Sequence, residues 1–178
     1  MTDGFGGTRR DIATAIARFP GIHLRGLERE TQLASSLLLY HLKDMEDAGE
    51  IVAREINGYT RYFPGPQSAG PHLDPHDQVV LSVLREKVPF EVAMHLLEAR
   101  SLKHKDLAER LGISKSTVTY HLRKMGDLGI VVKTPRGEEK GFALVEPERV
   151  RILLREYRPT PEMLDEFSSL WDDFYGSR

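Results

Sequence analysis

Between Ser114 and Met125 the chain reads Ser-Lys-Ser-Thr-Val-Thr-Tyr-His-Leu-Arg-Lys-Met. Wound as a helix at about 100° per residue, this run divides into two sides. Val118, Leu122 and Met125 share one. Ser116, Tyr120 and Arg123 lie opposite, with Thr117 and Lys124 on one flank and Thr119 on the other. Small hydroxyls, an aromatic ring and two cations on one exposed face suit recognition of a polyanion. Hydroxyls and a guanidinium match base edges or phosphate oxygens, and an ammonium meets phosphate. Lys115 and Ser116 sit near the helix N-terminus, where backbone N–H groups favour an anion. Downstream, Lys133, Arg136 and Lys140 add cations for backbone or minor-groove contact. The whole chain has a formal charge of −2, yet residues 101–140 hold 9 basic and 5 acidic residues. The distribution therefore says more about a polyanion partner than the total does.

Such a face needs a frame. Residues 90–98 and 105–111 have helical apolar spacing, Gly112 marks a tight turn, and Ser114 suits the N-cap of a helix over 114–128. Gly129 ends that helix. Two β-prone runs follow at 130–133 and 141–144, joined by a charged loop over 134–140.

The same order occurs twice. Tyr40-His41-Leu42-Lys43 recurs as Tyr120-His121-Leu122-Arg123. At that offset of 80, Ala13, Leu27, Ser36, Met45, Asp47, Gly49 and Val52 meet Ala93, Leu107, Ser116, Met125, Asp127, Gly129 and Val132. An ungapped offset of this length marks two copies of one small domain. In the first copy, Ile12, Ile16 and Phe19 predict a helix that stops at Pro20-Gly21. Helices over 24–30 and 35–48 follow, then strands over 50–56 and 59–63 around Asn57-Gly58, a strong hairpin signal. The expected organisation is a disordered N-terminus over 1–8, a first domain over 9–64, a Pro/Gly-rich linker over 65–75, a second domain over 76–145 and a helical extension over 146–178. A helix over 76–86, without counterpart in the first copy, opens the second domain. The fold class is mainly α with small β-hairpin wings.

The run from Leu107 to Met125, with Gly112 at its turn and Ser114 at its cap, resembles the helix-turn-helix of ArsR- and MarR-type regulators. The hairpin after it makes the unit a winged helix-turn-helix. The first copy looks like a degenerate version, and together the two resemble the tandem winged-helix transcriptional regulators common in archaea. The resemblance covers about residues 10–145. It implies a sequence-specific regulator of double-stranded DNA, a repressor that occludes a promoter, with the helix over 114–128 in the major groove. The residues it would use are Lys115, Ser116, Thr117, Thr119, Tyr120, Arg123, Lys124, Lys133, Arg136 and Lys140. It also implies a homodimer, because paired half-sites multiply specificity.

The first copy departs from this pattern. Ala34 is a poor N-cap, Leu37 and Leu39 replace Thr117 and Thr119, and Asp44 replaces Lys124. Either this helix reads DNA weakly through Ser35, Ser36, Tyr40, Lys43, Arg54 and Arg61, or it contacts protein. The alternative for the whole chain is a tandem winged-helix interaction scaffold like the accessory subunits of chromosome segregation.

In the extension, helices are predicted over 148–157 and 161–174. Met163, Leu164, Phe167, Leu170, Trp171 and Phe174 form one apolar stripe there. With Val80, Leu84 and Leu153 they are the candidate dimer interface. His41 and His121 are expected to pack structurally, His121 beside Val118 with a backbone hydrogen bond. His23, His95 and His104 read as ordinary residues, and His72, Asp74 and His76 are too loosely spaced for a metal site. The chain has no cysteine, so thiol chemistry and disulfides are excluded. No nucleophile motif, phosphate loop or carboxylate pair is present, so neither an enzyme nor a cofactor is expected. Without an apolar run near the ~20 residues of a membrane span or a secretory pattern at the N-terminus, a cytoplasmic protein is expected.

Overall fold

A computed structural model describes residues 3–68, 73–134 and 141–176. The chain divides into two units, Met1–Ser82 and Val83–Arg178.

In the first unit, α1 (Asp3–Arg18), α2 (Leu24–Thr31) and α3 (Ser35–Asp47) precede an antiparallel hairpin of β1 (Ile51–Ile56) and β2 (Tyr59–Pro64). Ile12, Ile16, Phe19, Leu27, Leu38, Leu42 and Met45 meet in its core, with Ile51 and Tyr62 from the hairpin. α1 starts six residues before the expected boundary at Arg9. Its glycines weaken a helix without forbidding one, and a turn nucleated around Ile12 extends at one hydrogen bond per residue. Asn57 and Gly58 have φ of +55° and +75°, as a two-residue type I′ hairpin requires.

α4 (Pro75–Leu84) was expected to open the second domain. Most of it belongs instead to the first unit. Gly21, at φ +83°, lies so near α4 that a Cβ there would stand 3.1 Å from the Ser82 backbone. Only glycine permits both that φ and that approach.

In the second unit, α5 (Lys87–Ala99), β3 (Leu102–Lys103), α6 (His104–Leu111) and α7 (Lys115–Asp127) precede the hairpin of β4 (Val131–Thr134) and β5 (Gly141–Leu144). β3 pairs with β5, which gives the order β3-β5-β4. This short strand was not predicted. The repeat nevertheless extends to it: Leu102 pairs with Phe142, and in the first unit Ile22 forms a single bridge to Tyr62 at the same offset. The hairpins also agree residue for residue, with Ile51↔Pro64 and Arg54↔Arg61 matching Val131↔Leu144 and Thr134↔Gly141.

The extension forms α8 (Pro147–Glu156), α9 (Pro161–Leu164), a 3₁₀ turn (Asp165–Phe167) and α10 (Ser168–Tyr175). The predicted continuous second helix is thus interrupted. At the break Phe167 turns inward, its ring 5.8 Å from Phe90 and 5.3 Å from His95.

Candidate nucleic-acid interface

The exposed side of α7 follows from its cap and its core. Ser114 has extended backbone angles, and its Oγ accepts from the Thr117 N–H at 3.2 Å. Val118, Leu122 and Met125 are buried. Helical periodicity then leaves Lys115, Ser116, Thr117, Thr119, Tyr120 and Arg123 exposed. Lys133 is exposed on β4. Arg136 and Lys140 lie outside the described residues.

The threonine hydroxyls are engaged within the fold. Thr117 Oγ1 lies 2.8 Å from Ser114 Oγ. Thr119 Oγ1 donates to the Lys115 carbonyl at 2.9 Å and stands 2.9 Å from His104 Nε2. A hydroxyl has one hydrogen. With that hydrogen on the carbonyl, His104 Nε2 must be the donor to Thr119. The sequence reading missed His104, since the pair meets only once α6 and α7 are packed. Between α7 and the wing a cleft of about 690 Å³ is lined by His104, Thr119, Arg123, Lys133 and Phe142, among others.

Lys124 does not join this face. Its Nζ reaches both carboxylate oxygens of Glu86, at 3.0 and 2.8 Å. The flank position read from periodicity is right, but an anion just before α5 takes the ammonium inward. His121 is half-buried, its ring 5.0 Å from Tyr120 in an edge-to-face pair, and Tyr40 and His41 repeat this at 5.3 Å. The expected backbone hydrogen bond is not found at His121 Nδ1, which has no hydrogen bond among the described residues. Burial lowers the pKa of His121, and the charge of Lys124 adds to the effect.

In the first unit Ala34 supplies no side-chain cap to α3. The Ser35 hydroxyl bonds to the Glu28 carboxylate. Ser36, Lys43 and Arg54 are exposed, and Leu37, Leu39 and Tyr40 are 37%, 50% and 65% exposed. Arg61 departs from expectation: it is buried, donates to the Gly21 carbonyl at 3.3 Å and lies over the Tyr59 ring. Its guanidinium serves the Gly21 turn rather than the surface.

Five of the nine expected interface residues, Val80, Leu84, Leu153, Phe167 and Trp171, are buried within the chain. Met163, Leu164, Leu170 and Phe174 are half-buried. A unit this small gains core by drawing its extension inward. Among the described residues no cluster of His, Asp or Glu could hold a metal ion, and no helix is long and apolar enough to cross a membrane. His72 lies outside those residues.

Residues 6–79 match a family model described as an N-terminal HTH domain, and residues 93–133 match the bacterial regulatory protein, arsR family. The two matches follow one another along the chain, which thus carries two helix-turn-helix domains in tandem. The first match runs past the wing of this tandem winged-helix chain into α4, in keeping with the placement of that helix. Over 138 residues the chain is 30% identical to the HTH-type transcriptional regulator MJ1398 of Methanocaldococcus jannaschii, covering 78% of this chain and 32% of that protein. It therefore spans about a third of the relative's length. A crystal structure of the DIP2311 protein from Corynebacterium diphtheriae is similar at 18% identity over 77% of this chain and 26% of the other, with a TM-score of 0.29.

Proposed function

We propose that this chain is a cytoplasmic, sequence-specific regulator that binds double-stranded DNA and represses by occluding a promoter. α7 enters the major groove and the β4–β5 wing meets the backbone. The observation that carries this reading is the exposed face of α7. From Lys115 to Lys124 it holds no acidic residue, it is rigidly capped by Ser114, and it presents Ser116, Tyr120 and Arg123 to solvent. Both matched families are helix-turn-helix families, which supports the same reading. Two chains bind one operator, and the half-buried Met163, Leu164, Leu170 and Phe174 are the apolar side chains left for that contact.

The test is selection from a random duplex library followed by titration across a salt series. A specific site bound about 10³-fold or more above bulk DNA, with a log–log salt slope of several phosphates, is the expected result. Loss of that binding in Arg123→Glu ties it to α7. If no sequence is enriched and binding vanishes near physiological salt, the helix-turn-helix faces serve protein contact instead. Sedimentation of the free and DNA-bound chain checks the dimer.

A further inference from the structure

At the offset of 80, Leu37 corresponds to Thr117 and Leu39 to Thr119. The two hairpins keep that offset residue for residue, so these positions are equivalent relative to each wing. In α7 both threonine hydroxyls are spent inside the fold, Thr117 on Ser114 and Thr119 on Lys115 and His104. With its hydrogen on the Lys115 carbonyl, Thr119 could serve a base acceptor only by breaking that bond, and its hydroxyl keeps one lone pair free. The methyl groups are the part of each side chain that takes no share in those bonds.

The first unit makes the same point by substitution. Its counterpart of the His104–Thr119 pair is Leu24 with Leu39, and its counterpart of Ser114–Thr117 is Ala34 with Leu37. Each hydrogen-bonded pair becomes an apolar pair, and the feature common to both copies is an exposed surface of methyl groups. The surroundings fit a polyanion. Residues 35–43 and 115–124 contain no carboxylate, and Lys43, Arg54, Lys115, Arg123 and Lys133 are all exposed. A protein partner would suit Leu37 and Leu39 alone, but not the same positions beside Lys115 and Arg123 in the other copy.

We propose that Leu37, Leu39, Thr117 and Thr119 read the C5-methyl groups of thymines in the major groove, the one apolar feature a base pair presents there. This rests on the reading of duplex DNA as the partner. Both recognition helices then engage DNA, so each chain covers two half-sites, a first under α3 and a second under α7, and each half-site carries thymines at the positions these residues meet.

The experiment replaces thymine by deoxyuridine in the selected operator, one half-site at a time, and measures the dissociation constant of the full chain. Each contacted methyl removed should weaken binding about fourfold. Thr119→Ser keeps the hydroxyl and deletes only the methyl, so in the second half-site it should abolish the response to deoxyuridine at the thymine Thr119 meets and keep the response at the one Thr117 meets. Leu39→Ala should do the same in the first. An operator with deoxyuridine throughout, bound selectively and as tightly as its thymine form, overturns the proposal and leaves the DNA reading standing. Sensitivity confined to the second half-site overturns it for Leu37 and Leu39, whose face then belongs to a protein partner. Failure to select any sequence removes both readings together.

Discussion

Lys124 donates from Nζ to both carboxylate oxygens of Glu86, and the side chains retain only 13% and 24% exposure. The pair ties α7 to the start of α5. In the first unit the same link carries reversed charges: Arg9 of α1 binds Asp44 of α3, the residue equivalent to Lys124. Arg9 also clamps Glu50 through Nε and Nη2, at 3.1 and 2.8 Å. Each copy thus uses this flank of its third helix for an internal ion pair, with the cation on opposite partners.

Breaking the pair should therefore cost stability. Glu86→Ala or Lys124→Ala leaves one partly buried charge uncompensated, and each is expected to lower unfolding stability by about 1–3 kcal/mol, between the exposed and fully buried cases. The double exchange Glu86→Lys with Lys124→Glu should recover most of that loss, because it recreates the polarity seen at Arg9–Asp44. Urea denaturation of the wild type, the two single alanine variants, their double and the exchange measures the coupling. Independent, additive losses with no recovery in the exchange would show that the pair contributes nothing as a pair.

The same geometry separates the exposed cations Arg123 and Lys133 from the paired Lys124. Arg123→Ala and Lys133→Ala should each reduce the log–log salt slope of operator binding by about 1. Lys124→Gln, measured well below its melting temperature, should leave the slope unchanged, since its ammonium is held by Glu86. An equal drop for Lys124→Gln would place that ammonium on phosphate.

The caps of α3 and α7 differ and should respond oppositely. Ser114→Ala removes the acceptor for Thr117 N–H and should destabilise by about 1 kcal/mol. Ala34→Ser introduces a cap where α3 has no side-chain cap, and a gain of similar size is expected. Thermal melts of both variants check the signs. A neutral Ala34→Ser would mean that the α3 N-terminus is already satisfied.

Acid should weaken the second unit. Burial lowers the pKa of His95 and His121 below 6.5, with Arg110 adding to the first shift and Lys124 to the second. In the unfolded chain both imidazoles titrate near 6.5. Below that pH the unfolded state binds more protons than the folded one. The stability contributed by the two neutral rings is thus complete above about pH 6.5 and declines as pH falls toward the folded-state values. The melting temperature should drop on acidification from neutral, and replacing both histidines by glutamine should flatten that part of the profile. An unchanged profile in the double variant would assign the acid sensitivity to other groups.

Much of this architecture was determined by the sequence alone, through features that act locally. The offset of 80 revealed the two copies, Ser114 capped α7 as its hydroxyl required, Asn57-Gly58 closed the first hairpin, and 3.6-residue periodicity put Val118, Leu122 and Met125 inside. Tertiary structure decided what depended on a partner far along the chain. Periodicity can assign Lys124 to a flank but cannot show that Glu86, 38 residues earlier, stands there to take its ammonium. Strand propensity can include Arg61 in β2 but cannot show that the Gly21 carbonyl, 40 residues earlier, draws it inward. His104 and Thr119 became a pair only when α6 packed on α7. The apolar stripe of the extension was legible, but which of its side chains completed a core was not: Phe167 and Trp171 went inside the chain because a unit of this size had apolar surface still to bury.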